Sequence, residues 1–248
     1  MGADVRPTGV VLVHGGYHGA WCWDPLLPWL DAPTLAVDLP GRGSHPMDLD
    51  DVTIEVGADS VRDDIDAAGF DRVVLVGHSL AGVSLPVIAG RLGHRVAHLV
   101  FVSCLVVPDG QSVVTMTPLD EREQFDRRLR KGEGETSVLS PEHHRALLGN
   151  DLDEEQWSYV LDHVGADSMR FFTDRVPWGP RVHDQPKTYV RLLQDQAVPL
   201  VEQDEMIRRL GPGATAHDID AGHEVMITKP RQLAAVLAPI LAEADRPH

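Results

Sequence analysis

The segment Gly77-His78-Ser79-Leu80-Ala81-Gly82 sets a serine among small residues directly after the apolar run Val73–Val76. A hydroxyl on such a strand-to-helix turn stands exposed at the carboxyl edge of a sheet, where it can attack a carbonyl carbon. Small neighbours suit the turn because the nucleophile must take an unfavourable backbone conformation. Ala81 departs by one methyl from the glycine usual at that place, and Gly82 follows it. Serine is a poor nucleophile near neutral pH and needs a base within hydrogen-bond reach. His223, in Asp220-Ala221-Gly222-His223-Glu224, is the candidate base, because it falls in the loop between the last expected strand and the final helix, at the end of a Ser, acid, His order. Asp195, just after Tyr189–Leu193 and ahead of Pro199, is the candidate acid that fixes the imidazole tautomer and stabilises the imidazolium. Asp38, Asp109, Asp204 and Glu224 compete for that role. Asp38 suits the ordering of the Pro40–Gly43 turn, and Asp204 suits a helix surface.

His14-Gly15-Gly16 follows another apolar run, Val10–Val13, and supplies what acyl transfer needs next. The tetrahedral intermediate carries an oxyanion that requires preorganised N–H donors. The backbone amides of Gly16 and Leu80 are the natural pair. Other motifs carry less. His143-His144 has no spaced carboxylate partner and His-Glu-x-x-His is absent from the sequence, so no metal is expected. Gly41-Arg42-Gly43 lacks the third glycine of a dinucleotide fingerprint, and no cofactor is expected. Trp21, Trp23 and Trp29 read as packing residues.

These residues need a sheet to hold them. Short β-branched runs at Val10–Val13, Thr34–Val37, Val73–Val76, Val96–Val102, Thr188–Leu193 and Thr215–Ile219 predict strands. Helical patterns alternate with them at about Ile54–Ala68, stopped by Gly69, after Ser79 to about Leu92 with a kink at Pro86, and over Val201–Leu210. The last helix is expected to take Thr228 as its cap and Pro230 in its first turn. Alternation of this kind predicts an α/β fold, a mostly parallel central sheet with helices on both faces. Residues 109–182 break the pattern. They are rich in charge, His and Pro, show helical stretches near 119–129 and 153–164, and predict an inserted helical cap on a single domain spanning 1–248.

Composition bounds the rest. Lys and Arg number 22 against 38 Asp and Glu, a net charge of −16, which repels phosphate backbones and anionic membranes. A small-molecule substrate is the expected partner, with no nucleic acid and no membrane. Two cysteines without paired spacing, and no apolar leader at the first residues, fit a cytoplasmic protein.

Assembled, the chain resembles the α/β-hydrolase superfamily over nearly its whole length. Within it the chain looks like the branch of plant hydroxynitrile lyases and of the salicylate and jasmonate methyl esterases. The resemblance rests on Val11–Trp23 with its His-Gly-x-x-His-Gly-x-Trp pattern, Gly77–Gly82, Asp195 with Pro199, and Ala221–Met226 with Lys229-Pro230. Asp38–Gly43 looks more like bacterial members. The lyases carry threonine where Gly15 stands and a lysine where Glu224 stands; a carboxylate cannot assist a departing cyanide as that cation does.

The resulting expectation is hydrolysis of a carboxylic ester through an acyl-enzyme on Ser79. Tyr17, His18, Phe171, Phe172 and Trp178 are expected to line the substrate pocket with the cap. Two other readings use the same residues: a lyase, decarboxylase or cyclase acting on a natural-product intermediate, and a ligand receptor on a hydrolase scaffold.

Overall fold

A computed structural model describes residues 8–116, 136–137 and 139–246 of the chain. Six parallel strands form the sheet: β1 (Gly9–Val13), β2 (Thr34–Val37), β3 (Val73–His78), β4 (Val96–Val102), β7 (Lys187–Leu192) and β8 (Thr215–Ile219). Between β4 and β7 the two-residue strands β5 (Thr136–Ser137) and β6 (Asp167–Ser168) pair antiparallel. They were not foreseen, because two residues carry no readable period. The strand order is β2-β1-β3-β4-β7-β8. The chain runs from β1 outward to β2, then jumps back past β1 to β3. The crevice between β1 and β3 is therefore the topological switch point, where ligands bind beyond the strands' carboxyl ends.

The inner strands are apolar on both faces, as a covered parallel sheet requires. Val11, Val13, Leu75, Leu99, Phe101 and Tyr189 face one side, packed by helices α1 (Ile54–Ala67), α2 (Leu85–Leu92) and α5 (Leu200–Leu210). Val10, Leu12, Val74, Val76, Val100, Val190 and Leu192 face the other, under α6 (Pro230–Ala244) and Trp23. Alternate residues go to opposite faces because strand side chains repeat every two residues. The stripe Leu233, Leu237 and Ile240 of α6 is buried as its helical spacing predicts.

Two local expectations are corrected. Pro86 does not kink a helix. Residues Ser79–Val83 form a 3₁₀ turn, and Pro86 falls in the first turn of α2, where its missing N–H costs no hydrogen bond. Thr228 is not the cap of the last helix. It ends a separate turn, Val225–Thr228, and Lys229 holds the N-cap position of α6.

Between β4 and β7, helices α3 (Pro141–Leu148) and α4 (Glu154–His163) lie over the carboxyl edge. Asp153 opens α4 with a reciprocal capping box to Gln156. The helix expected near 119–129 lies outside the described residues. Among the described residues no helix is long and apolar enough to cross a membrane.

Candidate active site

Ser79 sits where β3 ends, with φ of +55°. A left-handed serine is strained and persists only where its surroundings hold it. Gly82 lets the turn close: a Cβ there would lie 2.1 Å from the Leu105 carbonyl oxygen. Ala81 meets no such obstacle and is buried in the core, so the tight approach needs glycine at 82 and tolerates the methyl at 81.

The three residues singled out by chain order meet here. The Ser79 Oγ hydroxyl donates to His223 Nε2 at 2.9 Å, and His223 Nδ1–H donates to Asp195 Oδ2 at 2.7 Å. Asp195 is held from two sides. Its Oδ2 also accepts from the Ser103 hydroxyl at 2.6 Å, while Oδ1 accepts from the Ala197 and Val198 amides. Burial alone would raise the Asp195 carboxyl, but the neighbouring His223 and these donors bring it below its ordinary value. The competing acids have other work. Asp38 accepts from the Ala20 and Ser44 amides, Asp109 from the Trp178 amide, and Asp204 pairs with Arg191 at the surface.

Ser103 was missed by the sequence reading, although its signal was present: it follows β4 as Ser79 follows β3. Tyr17, Ser79 and Ser103 are the positive-φ residues other than glycine among the described residues. Each lies just beyond the end of β1, β3 or β4, so backbone strain gathers on one edge.

His78 was also missed. Its Nε2–H donates to the His223 carbonyl at 2.9 Å, tying the loop of the base to the elbow. Burial, reinforced by the proximity of His223, lowers the His78 ring to about 3, so it stays neutral.

The loop after β1 lies against the elbow. A Cβ on Gly15 would come within 2.9 Å of the Ser79 Cβ, so only glycine fits without displacing the serine. Gly16 lies against the Leu80 side chain. Its two neighbouring peptides are locked. His14 Nδ1–H donates to the Gly15 carbonyl at 2.8 Å, and His18 Nδ1–H donates to the Gly16 carbonyl at 2.7 Å. The Tyr17 amide donates to Asp167 Oδ2 at 2.7 Å. His14 Nε2 accepts from the Leu39 amide, which fixes its tautomer. With both carbonyls engaged elsewhere, the Gly16 N–H has no acceptor among the described residues.

A cavity of about 200 Å³ opens beside Ser79. Tyr17, His18, Leu80 and His223 line its floor, and Leu105, Leu139, Leu147, Leu148 and Phe172 its walls. Two expected lining residues are elsewhere. Phe171 is buried toward α1 and faces a separate small void behind Gly16 and Leu80, because adjacent residues on a helical turn point about 100° apart. Trp178 is buried in the core, stacked on His183 with ring centroids 5.5 Å apart. The leucines of α3 replace them, and no spacing in the sequence marked those leucines as pocket residues.

Fold and edge geometry together describe an α/β scaffold with a strained serine turn at its switch point. Comparison with known proteins carries this to a family. The model of the α/β hydrolase family matches residues 10–236, and the chain belongs to that family. A probable esterase, PIR7A, from Oryza sativa subsp. indica is 29% identical over 95% of this chain and 97% of its own length. The pFDCC methylesterase MES16 of Arabidopsis thaliana is 26% identical over 92% of each chain. Among solved structures, an extracellular α/β-hydrolase from a Paenibacillus species, described as sharing structural and functional homology with tobacco salicylic acid binding protein 2, superposes with a TM-score of 0.82. At 21% identity it covers 97% of this chain and 100% of that one.

Proposed function

We propose that this enzyme hydrolyses small carboxylic esters through an acyl-enzyme on Ser79. The observation that carries the reading is the continuous relay Ser79–His223–Asp195, with contacts of 2.9 and 2.7 Å. The esterase names of its relatives point to the same bond. His223 takes the Ser79 proton as Oγ attacks the ester carbonyl, and Asp195 stabilises the imidazolium so formed. The oxyanion is received by the N–H groups of Gly16 and Leu80. His223 then returns the proton to the leaving alkoxide, the alcohol departs, and water repeats the sequence on the acyl group with His223 again as base.

The described part of the insertion that carries Leu139, Leu147, Leu148 and Phe172 serves as a cap over the cavity. Its leucine and phenylalanine walls favour a compact, uncharged, apolar group next to the ester. The test is a p-nitrophenyl ester panel with Ser79→Ala beside the wild type, and a serine-directed phosphonate followed by mass spectrometry. Labelling of Ser79 and loss of turnover in the variant are expected. Turnover near wild type in Ser79→Ala, or no label on Ser79, would overturn the reading.

A further inference from the structure

Glu224 is wholly buried beside the base, and its side chain has no ordinary hydrogen-bond partner. What it faces is His18: Oε1 stands 3.1 Å from His18 Nε2, an ionic contact without hydrogen-bond alignment. The other ring nitrogen of His18 donates to the Gly16 carbonyl. Trp21 stacks on the same ring at 5.0 Å between centroids, fixing its plane. His18 lines the cavity while Glu224 lies outside its lining, so of the pair it is the imidazole that faces Ser79.

We propose that Glu224 is a positioning residue that keeps His18 doubly protonated, so that His18 holds the Gly16 carbonyl and thereby aims the Gly16 N–H at the oxyanion. The proposal rests on the ester-hydrolysis reading of the site. A neutral imidazole carries one N–H and can place it on either nitrogen. An imidazolium carries both, so the bond to Gly16 is always made, and a charged donor makes it stronger.

The surroundings bear on that protonation from every side. Burial disfavours the His18 cation, and Arg42 in the β2 loop opposes it. His78 of β3 and His144 of α3 meet its ring in T-shaped contacts with centroids at 6.5 Å, and His14 lies on its own loop. Both His78 and His144 are pushed well below the ordinary histidine value, chiefly by burial, and add no competing charge near neutrality. Against these the Glu224 carboxylate wins, and His18 is raised above its ordinary value. Burial would raise Glu224 itself, but His18, His78 and His223 bring it down to about 2. Cys22 also lies within its field and stays a thiol.

The experiment measures ¹⁵N signals of the imidazole rings and pH profiles of kcat and KM for wild type, Glu224→Gln, Glu224→Met and the double variant His18→Asn with Glu224→Met. In wild type both His18 nitrogens carry protons at neutral pH. In Glu224→Gln the ring loses one, the alkaline limb of kcat moves to lower pH, and kcat falls by about tenfold with KM little changed. Asparagine places its amide nitrogen near where His18 Nδ1 stands, so the double variant recovers kcat relative to Glu224→Met alone. A bare nitrogen on wild-type His18, an unchanged kcat profile in Glu224→Gln, or an effect confined to KM or to melting temperature would overturn the proposal. Failure of the phosphonate to label Ser79 would instead remove the ester-hydrolysis reading, which the nitrogen signals do not depend on.

Discussion

The two sides of the substrate cavity are built on different physics. On the sheet side, Ser79, His223, Asp195, Ser103, His14 and His18 are each fixed by hydrogen bonds between 2.6 and 2.9 Å. On the opposite side, Leu139, Leu147, Leu148 and Phe172 present hydrocarbon to the cavity. Directional bonds hold reacting atoms within tenths of an ångström, as acyl transfer demands. Dispersion contacts are non-directional and tolerate exchange among side chains of similar volume. Under the proposed ester hydrolysis, the sheet side would govern rate and the leucine-lined side would govern which molecule enters.

Substitutions can break that division, and the largest effect falls on the nucleophile. Ser79→Ala is expected to lower kcat on the order of 10⁵- to 10⁶-fold, measured with any accepted ester. Asp195→Asn keeps the shape but favours the wrong imidazole tautomer, so single-turnover acylation should slow by about 10⁴-fold. Ser103→Ala removes one charge-assisted hydrogen bond and should cost about tenfold in kcat. Phe172→Ala enlarges the wall and should raise KM for the best substrate about fivefold while kcat holds. If Phe172→Ala instead depressed kcat as much as Ser103→Ala, the separation of the two sides would be wrong.

The gentlest probe is acid. His14 and His78 are both held neutral at about 3, chiefly by burial, against an ordinary value of 6.5. The unfolded chain binds those protons first, so stability should decline as pH falls from 6.5 toward 3. Urea denaturation across that window measures the slope, and His78→Gln should flatten it.

The same division explains what could be read from the sequence. The inner strands β1, β3 and β4 showed as apolar runs, because parallel strands buried on both faces leave no alternation to obscure them, whereas β8 is exposed at four of its five residues. The serine turn, the histidine and the aspartate were legible because each follows a strand, and strand ends share one edge. Ser103 obeyed the same logic and was passed over for want of a motif. The link between Glu224 and His18 spans 206 positions and arises from loop geometry that no local pattern encodes. The cap wall was harder still. Phe172 pointed inward and Phe171 away, a choice made by how one helical turn docks on α1.

One contact joins the two halves of the cavity. Asp151, between α3 and α4, accepts the Gly222 amide at 2.7 Å, one residue from the base. Asn150 beside it donates to the Gln194 carbonyl, one residue from the acid. The turn between α3 and α4 is thus tied to the loops that carry His223 and Asp195, not merely laid over the opening. A cap transplanted from a relative would have to bring its own carboxylate to that spot, or the imidazole would lose the anchor that keeps it facing the serine.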